Sequence, residues 1–250
     1  MGGRCYFCRN GNLSVTGVFI GNVIKVPARS IGAIATPLVA KAWENQDYKE
    51  IQTIYSKSSI NQLIIGGIFF VCIWLNIDEI FSLLPLKFQG GKWVVFYIGL
   101  SQLFNISSGV NGVIIMNSKY YKYDLYTNIL LVGITIATNY ILIPKYGING
   151  AAMATAISVL FFNLIRLVLI KVKMNMHPFS FNTLKTIIVL LVIYYLHQYL
   201  PKSTIVLIDI FWKSSITIML YIPLVLWLNI SEDITNFTET YNVIQQIQPD

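Results

Sequence analysis

Long apolar runs joined by short polar connections constrain this chain more than any single motif does. Seven can be drawn, near residues 13–40, 59–77, 93–116, 125–143, 148–170, 184–200 and 210–229. Most approach the roughly 20 residues that a helix needs to cross ~30 Å of hydrocarbon. The connections carry turn residues: Pro85 with Gly90 and Gly91, Pro144 with Gly147, Pro178, and Pro201. The apolar–polar alternation of a transmembrane barrel strand is missing. The expected fold is therefore all-α, a polytopic transmembrane bundle of about seven helices.

Composition points the same way. Of the 250 residues, 55% are hydrophobic and 12% charged, against about 25% charged in an ordinary soluble domain. The net charge of +7 comes from cations scattered singly along the chain. A nucleic-acid face requires clustering, so no nucleic-acid partner is expected. Cys5 and Cys8 form C-x-x-C, but no second Cys or His pair completes a tetrahedral site, and no metal or cofactor is implied. Cys72 lies in an apolar run and reads as packing. Residues 1–12 lack the apolar core and small-residue cleavage site of a secretory signal.

If the segments alternate across a membrane, the loops can be compared. Lys41, Lys49, Lys57, Lys119, Lys122, Lys171, Lys173 and Lys185 fall on one side. Lys87, Lys92, Lys145, Lys202 and Lys213 fall on the other, joined by Arg4 and Arg9 if the first dozen residues count. The positive-inside rule then puts the N-terminus outside and an acidic tail (residues 231–250, with Glu232, Asp233 and Glu239) in the cytoplasm. Trp43, Trp74, Trp93, Trp212 and Trp227 fall near segment ends, as an interfacial aromatic belt requires.

Polar residues recur inside the apolar segments at helical spacing. In the first, Asn22, Lys25, Arg29, Gly32 and Thr36 share a face. A cation at mid-helix costs about 2.5–3.5 kcal/mol on insertion scales, and such residues usually face a bundle interior or a wet cavity. Asp78, Glu79, Asp124 and Asp209 all sit at segment ends, so Lys25 and Arg29 have no evident counterion within the chain. An anionic ligand is one candidate partner; snorkelling, or a carboxylate from protein outside this chain, is the other reading. The third segment places Gln102, Asn105, Gly109 and Gly112 on one face, with Ser101 and Ser108 beside it, and the fourth places Asn128, Thr135 and Asn139. Each uncharged stripe alone fits interhelical hydrogen bonding. Together with the charged face they suggest a polar central cavity.

Pro27 and Pro37 bracket Arg29 and suggest a bent, cavity-lining helix. In the fifth segment Gly150, Ala154 and Ser158 make a small-residue ridge, as do Gly147, Ala151 and Thr155, for close helix approach. Arg166 is expected to snorkel to the interface near Lys171, and His177 and His197 to be solvated.

Three runs carry a family resemblance: I-K-V-P-A-R-S-I-G-A-I-A-T-P-L-V-A-K-A-W, I-Y-S-K-S-S-I-N-Q-L-I-I-G-G and I-P-K-Y-G-I-N-G-A-A-M-A-T-A-I-S. They resemble the C-terminal half of bacterial polysaccharide-biosynthesis flippases, in the wording of those of Bacteroidetes. These flippases belong to the multidrug/oligosaccharidyl-lipid/polysaccharide exporter superfamily. The resemblance covers about residues 13–230 and implies one lobe of a two-lobed plasma-membrane transporter of undecaprenyl-pyrophosphate-linked oligosaccharides. Its partners would be the lipid-linked oligosaccharide, the bilayer and an N-terminal lobe that this chain lacks; residues 1–12 do not resemble the family. By resemblance, Lys25 and Arg29 fit the cavity cations that engage the lipid pyrophosphate, with Asn22, Gln102, Asn105 and Asn128 as further substrate-binding candidates.

Other functions compete. A polysaccharide polymerase or acyltransferase would need a catalytic constellation, and the short loops offer neither an intramembrane acid nor a His–acid pair, so no enzyme is expected. A cation-coupled drug exporter of the same superfamily would need a mid-membrane carboxylate that this chain does not show. A non-transporting remnant is the fourth possibility.

Overall fold

The computed structural model describes residues 5–84, 91–201 and 205–231, with side chains placed from Gly21 onward except Pro27. Among the described residues every element is helical: α1 (Cys5–Glu44), α2 (Tyr48–Leu75), α3 (Ile77–Leu83), α4 (Lys92–Ser107), α5 (Asn111–Asn117), α6 (Lys122–Met174), α7 (Phe181–His197) and α8 (Val206–Trp227). Local sequence sets several of the ends. The Asp47 carboxylate accepts from the Glu50 amide at 2.9 Å and caps α2. Ser180 and Thr183 form a capping box at the start of α7. Asn175 adopts a left-handed conformation (φ 55°) and stops α6.

Helix α6 is two arms folded against each other. Gly147 breaks it with φ 56° and ψ −129°, a region open in practice only to glycine. The Thr138 and Ser158 hydroxyls then meet at 3.0 Å, although a straight helix would hold them about 30 Å apart. Gly150 lies so close to the first arm that a Cβ there would stand 2.1 Å from the Leu142 carbonyl oxygen. The ridge of Gly150, Ala154 and Ser158 therefore packs as expected. The second ridge does not: Thr155 is exposed, and a Cβ at Gly147 would meet nothing within 4 Å. G150V is expected to force the arms apart and cost about 2–3 kcal/mol or more. G133V, at an exposed position with nothing within 4 Å, should leave thermal unfolding nearly unchanged. Equal melting of both variants would refute this hairpin register.

Other boundaries depart from the sequence expectation. Helix α1 begins at Cys5, inside residues 1–12 that do not carry the family resemblance, and runs through Pro37 without a break. The third apolar segment is bent by 46° between α4 and α5, because Gly109 takes φ 59° where its missing side chain admits Ser58 and Ser59 of α2. Gly109 and Gly112 thus lie across a bend from Gln102 and Asn105 rather than on one continuous face. A short helix, α3, forms between the second and third apolar segments. The charged tail beyond Ser231, the side chains of Cys5 and Cys8, and Lys87 and Lys202 lie outside the described residues.

Four described helices are long and apolar enough to cross a membrane: residues 21–44 of α1, α2, α6 and α8. The bent pair of α4 and α5 makes a fifth if taken as one span, and α7 is a shorter apolar helix. Helix α2 is the hub, packing on α1, α4, α7 and α8. Its flanks nucleate separate apolar clusters: Ile51 and Tyr55 with Val39 and Ile114, and Ile64 and Val71 with Val189 and Tyr221. A third cluster joins Ile24 to Ile77, Phe81 and Ile106. Outside them lies a broad apolar surface, with Tyr140 83%, Phe211 78% and Met219 76% exposed. Water tolerates contiguous apolar patches of only a few hundred Å², so a surface of this kind needs hydrocarbon or another protein against it. Trp43, Trp74, Trp93 and Trp227 stand within two residues of helix ends, whereas Trp212 lies two turns inside α8.

Candidate functional site

Antiparallel packing of α1 on α2 fixes the depth of the two cations. The Ile24 carbonyl lies against Gly66, midway along the apolar part of α2, and a Cβ on Gly66 would stand 3.5 Å from it. This register sets Lys25 beside Gly66 and Arg29 one turn further on, level with Gln62. Lys25 is half-buried and Arg29 exposed on the open side of α1, together with Asn22, Ser30 and Thr36. Arg29 Nη2 donates to Asn22 Oδ1 at 3.3 Å, which joins two of the expected site residues. Neither cation has a carboxylate partner among the described residues.

Gln102 sits against Gly21, one turn from Lys25, where a Cβ would stand 3.6 Å from its Cγ. Gln102 is buried, donates to Ser101 Oγ at 3.3 Å, and leaves its Oε1 without a hydrogen bond among the described residues. Asn105 lies deeper. It borders a small polar cavity of about 210 Å³ with Gly32, Gln62, Asn111 and Arg166. Asn163 knits this cavity together, accepting from Asn111 Nδ2 at 3.1 Å and donating to Asn105 Oδ1 at 3.4 Å. Asn128 stands apart, exposed on the first arm of α6, and donates to the Asp124 carbonyl at 2.8 Å and to Asp124 Oδ2 at 3.0 Å.

Two sequence expectations are corrected here. Arg166 does not snorkel. Its guanidinium pairs with Asp124 across the α6 hairpin, approaches Thr127 Oγ1 at 3.5 Å and covers the Phe162 ring at 4.1 Å. A 42-residue separation hid the partner, since only the fold-back at Gly147 brings the arms together. His197 is not solvated. It is 8% exposed, and its Nδ1 meets Thr217 Oγ1 at 3.0 Å. His177 does lie in an exposed loop, whose backbone is clamped by the Gln52 amide at 3.0 Å and 2.7 Å.

The residues that sequence reasoning passed over are Gln62, Asn111, Asp124, Asn163 and Arg166. A signal existed for two of them: Asn163 and Arg166 stand three apart inside F-F-N-L-I-R-L, so they share a face of an apolar helix. The helix-embedded cations Lys92, Arg166 and Lys213 all have carboxylate partners, namely Asp78, Asp124, and Asp209 with Glu79. Lys25 and Arg29 have none among the described residues, and neither do Lys41, Lys145, Lys171 and Lys185, which lie nearer helix ends or the break at Gly147. Among the described residues no group of three or more potential metal ligands converges. No family model matches the chain, and neither a curated protein nor a solved structure matches it.

Proposed function

We propose that this chain is the C-terminal lobe of a plasma-membrane flippase for lipid-linked oligosaccharides, one wall of a cavity whose other wall comes from a second lobe. On this reading the helices form seven spans: α1, α2, α4 with α5, the two arms of α6, α7 and α8. The observation that carries the reading is the contrast in cation pairing. Lys25 and Arg29 sit level with the middle of α2 on the open face of α1, without a carboxylate, while the more buried Arg166 and Lys213 are neutralised locally. Holding two such charges in a membrane without a counterion is costly. A diphosphate headgroup supplies the missing negative charge and accepts charge-assisted hydrogen bonds from both. The chemistry required is binding and release, with no covalent step.

An alternating-access carrier rocks one bundle against another about a shared site, so a single lobe has nothing to rock against. The test is complementation in a strain deleted for its own flippase. Residues 1–250 alone are expected to restore no surface glycan, and co-expression with a separately encoded N-terminal lobe is expected to restore it. Export by the chain alone would overturn the two-lobe reading.

A further inference from the structure

A large cavity lies away from Lys25 and Arg29. It is an open apolar groove of about 650 Å³ between α2, α4, the second arm of α6 and α7, walled by Phe70, Leu103, Leu164 and Leu190. Along α7 it runs from Thr183 to Tyr194, a rise of roughly 16 Å. That is about half of a ~30 Å hydrocarbon core, or the depth of one leaflet. At its Tyr194 end the groove adjoins a polar pocket of about 310 Å³, and Trp74 and Tyr194 line both. The polar pocket is walled by Asp78, Glu79, Lys92, His197 and Lys213. Lys92 bonds Asp78 at 2.8 Å and lies over the Trp74 ring at 5.5 Å, while Lys213 reaches Glu79 at 3.3 Å.

An apolar trough of one-leaflet depth, ending in a pocket that carries charges of both signs, has the shape and polarity of a single lipid. We infer that it holds a bilayer glycerophospholipid with a primary-amine headgroup, one acyl chain in the groove and the phosphoethanolamine in the pocket. The inference rests on the membrane reading of the helices and not on the transport reading. Asp78 and Glu79 in the lining, with Asp209 bonded behind Lys213, offset Lys92 and Lys213, so no excess of positive charge draws an anionic headgroup. A zwitterion fits by inserting between the pairs. Its ammonium, with three N–H donors, turns to Asp78 and Glu79, and its phosphate turns to Lys92. Asp78 and Lys92 are the members free to turn, with side chains 73% and 39% exposed. A trimethylammonium headgroup has no N–H to donate and fits the carboxylates poorly.

The probe lipids are dioleoyl phosphatidylethanolamine, phosphatidylcholine, phosphatidylglycerol and a polyprenyl phosphate, each added to the delipidated full chain in detergent. Native mass spectrometry and thermal unfolding are the readouts. The ethanolamine lipid is expected to be retained about tenfold better than the choline lipid and to raise the Tm most. D78N, at an exposed side chain, should remove most of that preference, and L164W, which fills the groove at a half-exposed position, should lower retention of every lipid. Equal retention of the ethanolamine and choline lipids, preference for the glycerol lipid, or displacement by polyprenyl phosphate would each overturn the inference. A chain that fractionates away from membranes would instead overturn the membrane reading beneath it.

Discussion

Neutralising Lys25 and Arg29 together (K25Q/R29Q) is expected to abolish glycan export in a complete two-lobed transporter while leaving membrane abundance near normal. Each cation would contribute a charge-assisted hydrogen bond to the diphosphate, worth about 1.5–3 kcal/mol. Loss of both therefore lowers transport by at least about a hundredfold. Abundance should hold because the substitution breaks no ion pair among the described residues. It removes only the exposed 3.3 Å bond from Arg29 to Asn22. Glutamine also keeps the first two methylenes of each stem and a hydrogen-bonding end, so the α1–α2 packing at Ile24 and Gly66 is undisturbed. Surface glycan measured against immunoblotted membrane protein separates the two effects. Full export by the double variant would sink the anion-site reading, and loss of the protein itself would assign the pair a structural role.

The second large effect concerns stability. Lys213 is the hub of a charge cluster at the opposite end of α2 from the α1–α2 turn, bonded to Asp209 one turn earlier on α8 and to Glu79 of α3. The Lys213 and Asp209 side chains are 5% and 3% exposed. K213M removes an ammonium that two acidic groups share, and breaking a buried pair from one side costs about 3–5 kcal/mol. The double variant K213M/D209L removes both buried charges and should recover most of that loss, since apolar replacement of a whole buried pair is close to neutral. Thermal unfolding in one detergent, across wild type, single and double variants, reads the difference. A single variant as stable as the wild type would show that the cluster does not hold α3 to α8.

Much of this architecture was legible in the chain. Apolar runs of helical length, turn residues between them and the lack of alternation give an all-helical protein with long apolar helices, because hydrogen-bond satisfaction in an apolar medium leaves a helix as the default. The polar stripe of Asn22, Lys25 and Arg29 was legible for a similar reason, since three- and four-residue spacing puts side chains on one face whatever surrounds the helix. The sharp reversal at Gly147 was marked by Pro144 and Gly147, although only the backbone geometry shows how tightly Gly150 approaches Leu142.

Which cation is paired was not legible. Lys25, Arg29, Arg166 and Lys213 look alike in the sequence, each a lone charge within or beside an apolar run. Tertiary structure separates them. The α6 hairpin delivers Asp124 to Arg166 over 42 residues, and α3 delivers Glu79 to Lys213 over 134. It also bends the third apolar segment at Gly109, buries His197 against Thr217, and leaves one face of α1 open. Helical period is a local property of the backbone, so one strand of sequence determines it. A salt bridge depends on the positions of two distant side chains to within about an ångström, and only the packed bundle fixes both ends at once.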